Sequence, residues 1–416
     1  MPARPGGCWP SGGDPHAAGL KERRPDLPRL YDAIIVGAGP AGALLGWLLA
    51  TSGLNVLILE KQRLPRYKPC GGGLTRRALD LLPFDPAPVV EDLARRAVIL
   101  LDGRPVFETL EREPVITLVM RDRFDHFLAR RAEGAGATLK DGLAFRGLSG
   151  SFGRLEVATS AGTFHGRLIV GADGASSPTA RALGLWSARR VFSALEAEVD
   201  FDRPETLDRF RGAVHFDFGL PPQGYAWLFP KAGHVSMGVL TRCMALKNLR
   251  PWFQAYLQTK GLDRETTVRS LRPHLIPWGS GSGGRLADDR GLLIGDAAGL
   301  TDPITGEGLY FAFREARLAA GVIREALDRG GAYLRRYEGL MRREFRIELA
   351  WARALAFLLY RMPGLRRRAF DIHGPGLGRR LLDVFAGRTS YRNLALRVLH
   401  PASLKALASP RSRRTI

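Results

Sequence analysis

The residues whose spacing carries the most chemistry are Gly37-Ala-Gly39-Pro-Ala41-Gly42, with Glu60 downstream. Glycines at these intervals suit a diphosphate. Gly37 permits a tight turn, Gly39 lets a pyrophosphate approach the backbone, and Gly42 lets a following helix pack on the preceding strand. A carboxylate at Glu60 can accept hydrogen bonds from both hydroxyls of a ribose. Gly37, Gly39, Ala41, Gly42 and Glu60 are therefore the expected contacts of a dinucleotide.

These residues must be positioned by a strand, a turn, a helix and a second strand. Tyr31–Val36 is rich in β-branched residues and reads as a buried strand. Ala43–Ser52 has a helical pattern, and Asn55–Leu59 reads as the next strand, ending at Glu60. The helix N-terminus then faces the phosphates with its free N–H groups. A second match to the same glycine pattern, Gly279-Ser-Gly281-Ser-Gly-Gly284, follows Pro277 and Trp278 and leads into no helix, so it is expected to be a loop.

Two further segments distinguish the dinucleotides. Leu168-Ile-Val-Gly171-Ala-Asp173-Gly174 is an apolar strand ending in a glycine-flanked acid. Gly291-Leu-Leu-Ile-Gly295-Asp296-Ala-Ala-Gly299 repeats the design and is followed by Pro303-Ile-Thr-Gly306-Glu-Gly308 and a helical run to about Leu327. In a doubly wound sheet such strand ends converge on the ligand crevice. Asp296 can bind a ribityl hydroxyl, and a helix opening near Gly306 and Gly308 would direct its dipole at the carbonyl edge of a flavin, which gains negative charge on reduction. With Arg121-x-x-Phe124-Asp125, the order of these motifs resembles the FAD-dependent fold of para-hydroxybenzoate hydroxylase and its relatives. That resemblance implies FAD, and it places Arg121, Asp173, Gly174, Gly295, Asp296, Gly306 and Gly308 with the cofactor.

Two segments narrow the resemblance. Leu64-Pro-Arg-Tyr-Lys-Pro-Cys70-Gly-Gly72-Gly73-Leu-Thr75 and Gly224-Tyr225-Ala-Trp227-Leu-Phe229-Pro-Lys231 look like the geranylgeranyl reductase family, over roughly residues 31 to 327. The resemblance implies reduction of isolated double bonds in prenyl chains of an isoprenoid lipid, diphosphate, quinone or chlorophyll-type molecule. An unpolarised alkene needs hydride on one side, a proton on the other, and an apolar groove to hold it. Cys70 is the expected proton donor or redox-active thiol, with Tyr225 as the second candidate. Gly72 is assigned to the flavin, and glycines at 71 to 73 would let the backbone approach its ring. Gly73, Trp227 and Phe229 are assigned to the substrate. Tyr225, Trp227 and Phe229 share one strand face by period two, and that face serves equally as a channel wall or as the core of an antiparallel sheet.

The sequence departs from the family at Ala312-Phe-Arg314-Glu315-Ala316, where a small Ser-Gly pair is usual. Two rival readings remain on the same scaffold: a flavin-dependent monooxygenase or halogenase, and a non-catalytic flavin electron relay. With no second credible dinucleotide site, NAD(P)H binding transiently or reduced ferredoxin is the expected donor, the latter as a partner protein.

The chain of 416 residues has room for two to three domains. The expected fold class is α/β: a Rossmann-type FAD-binding domain with an inserted antiparallel-sheet substrate domain and a C-terminal helical region. Residues 1–30 form an N-terminal extension expected to be disordered. Residues 31–75, 112–185 and 284–327 form the discontinuous FAD domain, and 76–111 with 186–283 the substrate domain. Residues 328–416 read as basic helices broken at Pro363, Pro375 and Pro401. Net charge is +21, with 54 arginines to eight lysines, a bias that raises charge without any partner. From Arg361 onward, however, thirteen basic residues face only Asp371 and Asp383, which suits peripheral contact with an anionic membrane. No nucleic-acid-binding motif accompanies the charge. Three cysteines make no disulfide framework and are one short of a four-thiolate cluster, so a reducing, cytoplasmic setting and no metal are expected.

Overall fold

In the computed structural model, residues 29–186, 190–264, 266–278 and 284–398 are described. The N-terminal extension before Arg29, Pro401 and all but the last residue of the Gly279–Gly284 run lie outside them.

The first strand, Leu30–Val36, lies between Val56–Glu60 and Gly162–Gly171, parallel to both. Thr138–Asp141 extends this sheet beyond Val56–Glu60, and Gly291–Leu293 pairs with the far side of Gly162–Gly171, again in parallel. Arg154–Thr159 and Phe145–Ser151 complete it as an antiparallel flap. Parallel strands are covered on both faces, and here the helix Pro40–Ala50 packs against Arg121–Gly134 and Leu309–Arg329 on one of them. Proline in the first turn of Pro40–Ala50 suits its start, since no intrahelical partner for that N–H exists there. The helix starts at Pro40 rather than Ala43, and the second strand starts at Val56 rather than Asn55.

The second sheet has the order Thr266–Trp278, Arg190–Phe201, Val235–Thr241, Gly224–Pro230, Ala213–Phe218, Arg96–Leu101, Arg104–Leu110. It is antiparallel except where Arg96–Leu101 runs parallel to Ala213–Phe218. Gly73–Thr75, Ile116–Val119 and Val90–Ala94 form a separate three-stranded sheet. The second sheet buries both faces. One carries Leu195, Ala197, Leu228 and Met237 against the helix Arg250–Thr259, and the other carries Phe216, Tyr225, Trp227 and Phe229 toward the C-terminal helices.

Those helices are Arg336–Arg361, Pro363–Phe385 and Tyr391–Val398. Pro363 does divide two helices, but Pro375 does not break the second, which corrects the expected break. Pro375 forfeits one backbone hydrogen bond, a cost of about 3 kcal/mol in a free helix. Tertiary packing offsets it: Gly374 and Gly378 bring the helix close to Val106 and Phe107 of Arg104–Leu110. Among the described residues no helix is long and apolar enough to cross a membrane.

Candidate active site

Gly37 has φ +109°, and a Cβ there would stand 2.3 Å from the Ala172 carbonyl oxygen; a Cβ on Gly42 would stand 2.0 Å from the oxygen of Gly37. Both glycines are thus required by the protein's own backbone. Gly39 is different. It is extended (φ −72°, ψ −179°), and its Cβ would meet nothing closer than the Arg66 guanidinium at 3.8 Å. The surface beside Gly39 and Ala41, at the N-terminus of Pro40–Ala50, is open to a diphosphate. Glu60 is buried at the end of its strand, accepting from the Ala38 and Gln62 amides at 3.1 Å each and lying 3.5 Å from Arg66. This set fits FAD: an open glycine surface on a helix N-terminus, with a fixed carboxylate at the ribose position.

The two Gly-Asp strands end on the same edge as the glycine turn. The Asp173 carboxylate accepts from Ser177 Oγ and from the Thr179 amide at 2.9 Å, so it caps the short helix Pro178–Ala182 from the Gly174 turn. Asp296 lies 3.7 Å from Lys68. Gly295 and Gly306 have positive φ, and Gly308 is the N-cap of Leu309–Arg329. Arg121 is no surface residue: it is buried at the start of its helix in a two-pronged ion pair with Asp125 at 2.7 and 3.0 Å, and faces the Cys70 thiol. Burial opposes its charge, but Asp125 and Cys70 outweigh that and raise its pKa. Asp125, also bound by Arg66 at 2.9 Å, is held below the usual carboxylate range despite its burial.

The Tyr67–Gly73 loop spans from this edge to the second sheet. Lys68 reaches His274 at 3.2 Å as well as Asp296. Tyr67 donates to Glu198 at 3.1 Å. The Gly72 amide points at Cys70 Sγ, 3.4 Å away. The glycines after Cys70 have a steric reason other than the expected approach to the flavin. A Cβ on Gly71 would fall 2.8–2.9 Å from Phe229 and Trp227, on Gly72 1.9 Å from the Val119 oxygen, and on Gly73 3.1 Å from Ile116. The loop thus lies directly on the aromatic strand. Tyr225, Trp227 and Phe229 do share a face, all buried. Tyr225 donates to the Thr305 carbonyl, beside Gly306, and burial followed by Asp302 raises its pKa. The aromatic face therefore ties the Cys70 loop to the Gly306 loop.

Several polar residues in this region escaped the sequence reading. Lys231 is fully buried, donates to the Gly71 oxygen at 2.7 Å and to the Val119 oxygen at 3.1 Å, and has its pKa lowered by burial. Glu196 and Glu198 are buried on Arg190–Phe201, separated from the aromatic strand by Val235–Thr241. The signal for them was visible: an acid pair at period two inside the apolar run Ala194-Leu-Glu-Ala-Glu-Val199. Glu315, at the family departure, is buried and accepts from the Gly295 amide, and burial raises its pKa well above the usual range. Among the described residues no group of three or more potential metal ligands occurs.

The FAD binding domain family matches residues 30–344. Geranylgeranyl diphosphate reductase of Rhodobacter capsulatus is 31% identical over 303 residues, covering 70% of this chain and 74% of the relative. Digeranylgeranylglycerophospholipid reductase 1 of Methanopyrus kandleri is 31% identical over 352 residues, covering 79% and 90%. Among solved structures, a geranylgeranyl bacteriochlorophyll reductase-like protein from Thermoplasma acidophilum superposes with a TM-score of 0.73 at 23% identity, covering 91% of this chain and 98% of that one.

Proposed function

This chain belongs to the geranylgeranyl reductase family of FAD-dependent oxidoreductases, and from that premise we propose that it reduces isolated double bonds in the prenyl chain of an isoprenoid lipid or diphosphate. The observation that carries this reading is the Cys70 loop lying on Trp227 and Phe229, which brings a thiol and an apolar wall together at the seam of the two large sheets. FAD, when bound, supplies the hydride. Gly37, Gly39, Ala41, Gly42 and Glu60 would hold its diphosphate and ribose, and Asp173, Gly174, Gly295, Asp296, Gly306 and Gly308 its flavin half, with Arg121 and Gly72 beside it. Cys70 holds the proton for the alkene, and Tyr225 orients the Gly306 loop through Thr305. Gly73, Trp227 and Phe229 form the side against which an apolar chain rests and from which water is excluded.

NAD(P)H or reduced ferredoxin is the proposed electron donor. The basic C-terminal helices, which expose Phe357, Met362 and Ile372, support docking on an anionic membrane, where a lipid substrate would be found. The test is anaerobic: chemically reduced protein is mixed with geranylgeranyl diphosphate or a digeranylgeranyl phospholipid, flavin absorbance is followed, and products are weighed for two added hydrogens per bond. Prenyl acceptors should re-oxidise the flavin. No oxidation by any of them, with rapid peroxide release in air, would instead support the monooxygenase or halogenase reading.

A further inference from the structure

Glu196 and Glu198 stand two residues apart on Arg190–Phe201, so both project from one sheet face. Tyr67 reaches that face from the Cys70 loop. Both oxygens of Glu198 are occupied, Oε1 by Tyr67 Oη at 3.1 Å and Oε2 by His234 Nε2 at 3.0 Å. Glu196 is satisfied on one side only. Ser236 donates to its Oε1 at 2.8 Å, while Oε2 is enclosed and makes no hydrogen bond of ordinary geometry, although the Cys70 amide faces the carboxyl group.

Two neighbouring carboxylates in a dry site do not both ionise near neutral pH. With one oxygen enclosed and lacking a hydrogen bond of ordinary geometry, Glu196 is the one that keeps its proton, because a poorly solvated carboxylate oxygen is costly to bury. Burial and then the Glu198 charge push Glu196 up to about 8, against smaller opposing effects of Ser236, Lys231 and the Cys70 amide. The other groups here are Tyr67 and Cys70 on the loop, Lys231 just after the aromatic strand, Ser236 on the adjoining strand and His234 just before it. Arg272, opposite Glu196 in register, is exposed. The His234 side chain is 13% exposed, which gives the cluster an outlet to water.

We propose that Glu196 stores the proton that restores the Cys70 thiol after each reduction, with Glu198 and His234 as its route to solvent. The proposal rests on the reading of Cys70 as the proton donor. The alkene gains hydride at one carbon and the Cys70 Sγ proton at the other. The resulting thiolate takes the proton of the Glu196 carboxyl group, leaving a carboxylate. That carboxylate is refilled from water through the His234 imidazole and Glu198.

Glu196→Gln keeps the shape and neutrality of the protonated acid but cannot give up a proton. A single re-oxidation spends only the proton Cys70 already carries, so the readout is repeated anaerobic turnover of a geranylgeranyl acceptor with excess dithionite, which in the parent should fall as pH rises through about 8. In E196Q that turnover should already be slower at pH 7 by about 10²-fold, with no break near pH 8. Iodoacetamide labelling, read by peptide mass, supplies a measure independent of turnover. Above pH 8 Cys70 of E196Q should label about tenfold faster than in the parent, the effect of removing one nearby negative charge, while Cys243 labels equally in both. A parent-like turnover rate at pH 7 in E196Q overturns the proposal. If E196Q does not retain FAD, Glu198→Gln decides: the break should move below pH 8, and an unmoved break overturns the proposal. Should no prenyl acceptor oxidise the parent, the substrate reading fails separately. The labelling profiles then decide alone, divergent profiles supporting the store and coincident ones overturning it.

Discussion

Alanine at each glycine of the first turn separates what the protein needs from what the cofactor needs. Gly42→Ala places a Cβ 2.0 Å from the Gly37 oxygen, and Gly37→Ala combines a φ of +109° with a 2.3 Å contact to the Ala172 oxygen. Backbone atoms cannot step aside as a side-chain tip can, so each variant should lose about 3 kcal/mol of stability even without FAD. Gly39→Ala should behave in the opposite way. Its backbone is extended and its nearest neighbour would be a movable guanidinium at 3.8 Å. The apoprotein should gain about 0.5 kcal/mol, because alanine restricts the unfolded chain. Affinity for FAD should fall, since the added methyl occupies the approach of a charged diphosphate to the main chain. Losing one charge-assisted hydrogen bond is worth about 1.5–3 kcal/mol, or about 10- to 100-fold in Kd. Thermal melts of the three apoproteins and FAD titrations by fluorescence quenching read both quantities. Parent-like FAD affinity in Gly39→Ala, or a parent-like melt of Gly42→Ala, would refute the reasoning.

Other substitutions test separate links. Cys70→Ala and Cys70→Ser should both retain FAD and be reduced normally, yet re-oxidise about 10²-fold more slowly with a prenyl acceptor; in stopped-flow, a serine variant at parent speed would make the thiol a packing element only. Glu196 holds its proton up to about pH 8 when folded, against an ordinary value near 4.5. Between those values the folded state binds more protons than the unfolded one, so the contribution of Glu196 to stability falls as pH rises through this window. E196Q should therefore match the parent near pH 4.5 and exceed it at pH 8 in melting temperature. Pro375→Ala should raise stability by about 2 kcal/mol in denaturant titration, by restoring a hydrogen bond inside an intact helix. Co-sedimentation with anionic liposomes should weaken with salt and with Phe357→Ser plus Met362→Ser, each nearby basic residue contributing about 1 kcal/mol; salt-independent binding would leave the positive charge as compositional bias.

The dinucleotide half was legible because its determinants are local. A β-branched run, a glycine turn, proline in the first helical turn and an acid at the next strand end all lie between Leu30 and Glu60. The same design, repeated at Asp173 and Asp296, identified FAD without any knowledge of packing. What was illegible depends on segments far apart in the chain. Nothing near Lys231 announces that its ammonium will bind Gly71, and nothing near Gly71 announces Trp227. The aromatic alternation correctly put three rings on one face, but a face does not state its neighbour. Pro375 misled because helix-breaking rules describe a helix without support, whereas Gly374 and Gly378 let this one press on a strand. The parallel junction of Arg96–Leu101 with Ala213–Phe218 likewise joins segments that carry no mutual signal.

The strand order also dictates a schedule for the ribosome. Leu30–Val36 emerges early, yet one of its parallel partners, Gly162–Gly171, follows more than a hundred residues later, and Gly291–Leu293 and the helix Leu309–Arg329 later still. The intervening chain contains the whole second sheet, in which three of the six strand pairings are hairpins of short separation. Contacts of low sequence separation form sooner, so the inserted sheet should be complete while the dinucleotide unit is still an open edge on the nascent chain. On the proposed assignment FAD cannot assist that early stage, because the residues for its two halves run from Gly37 to Gly308 and are synthesised far apart. Capture of the cofactor should therefore be a closing event, and a stalled chain ending before Gly291 should expose the edge of Gly162–Gly171 to chaperones or to a second copy of itself.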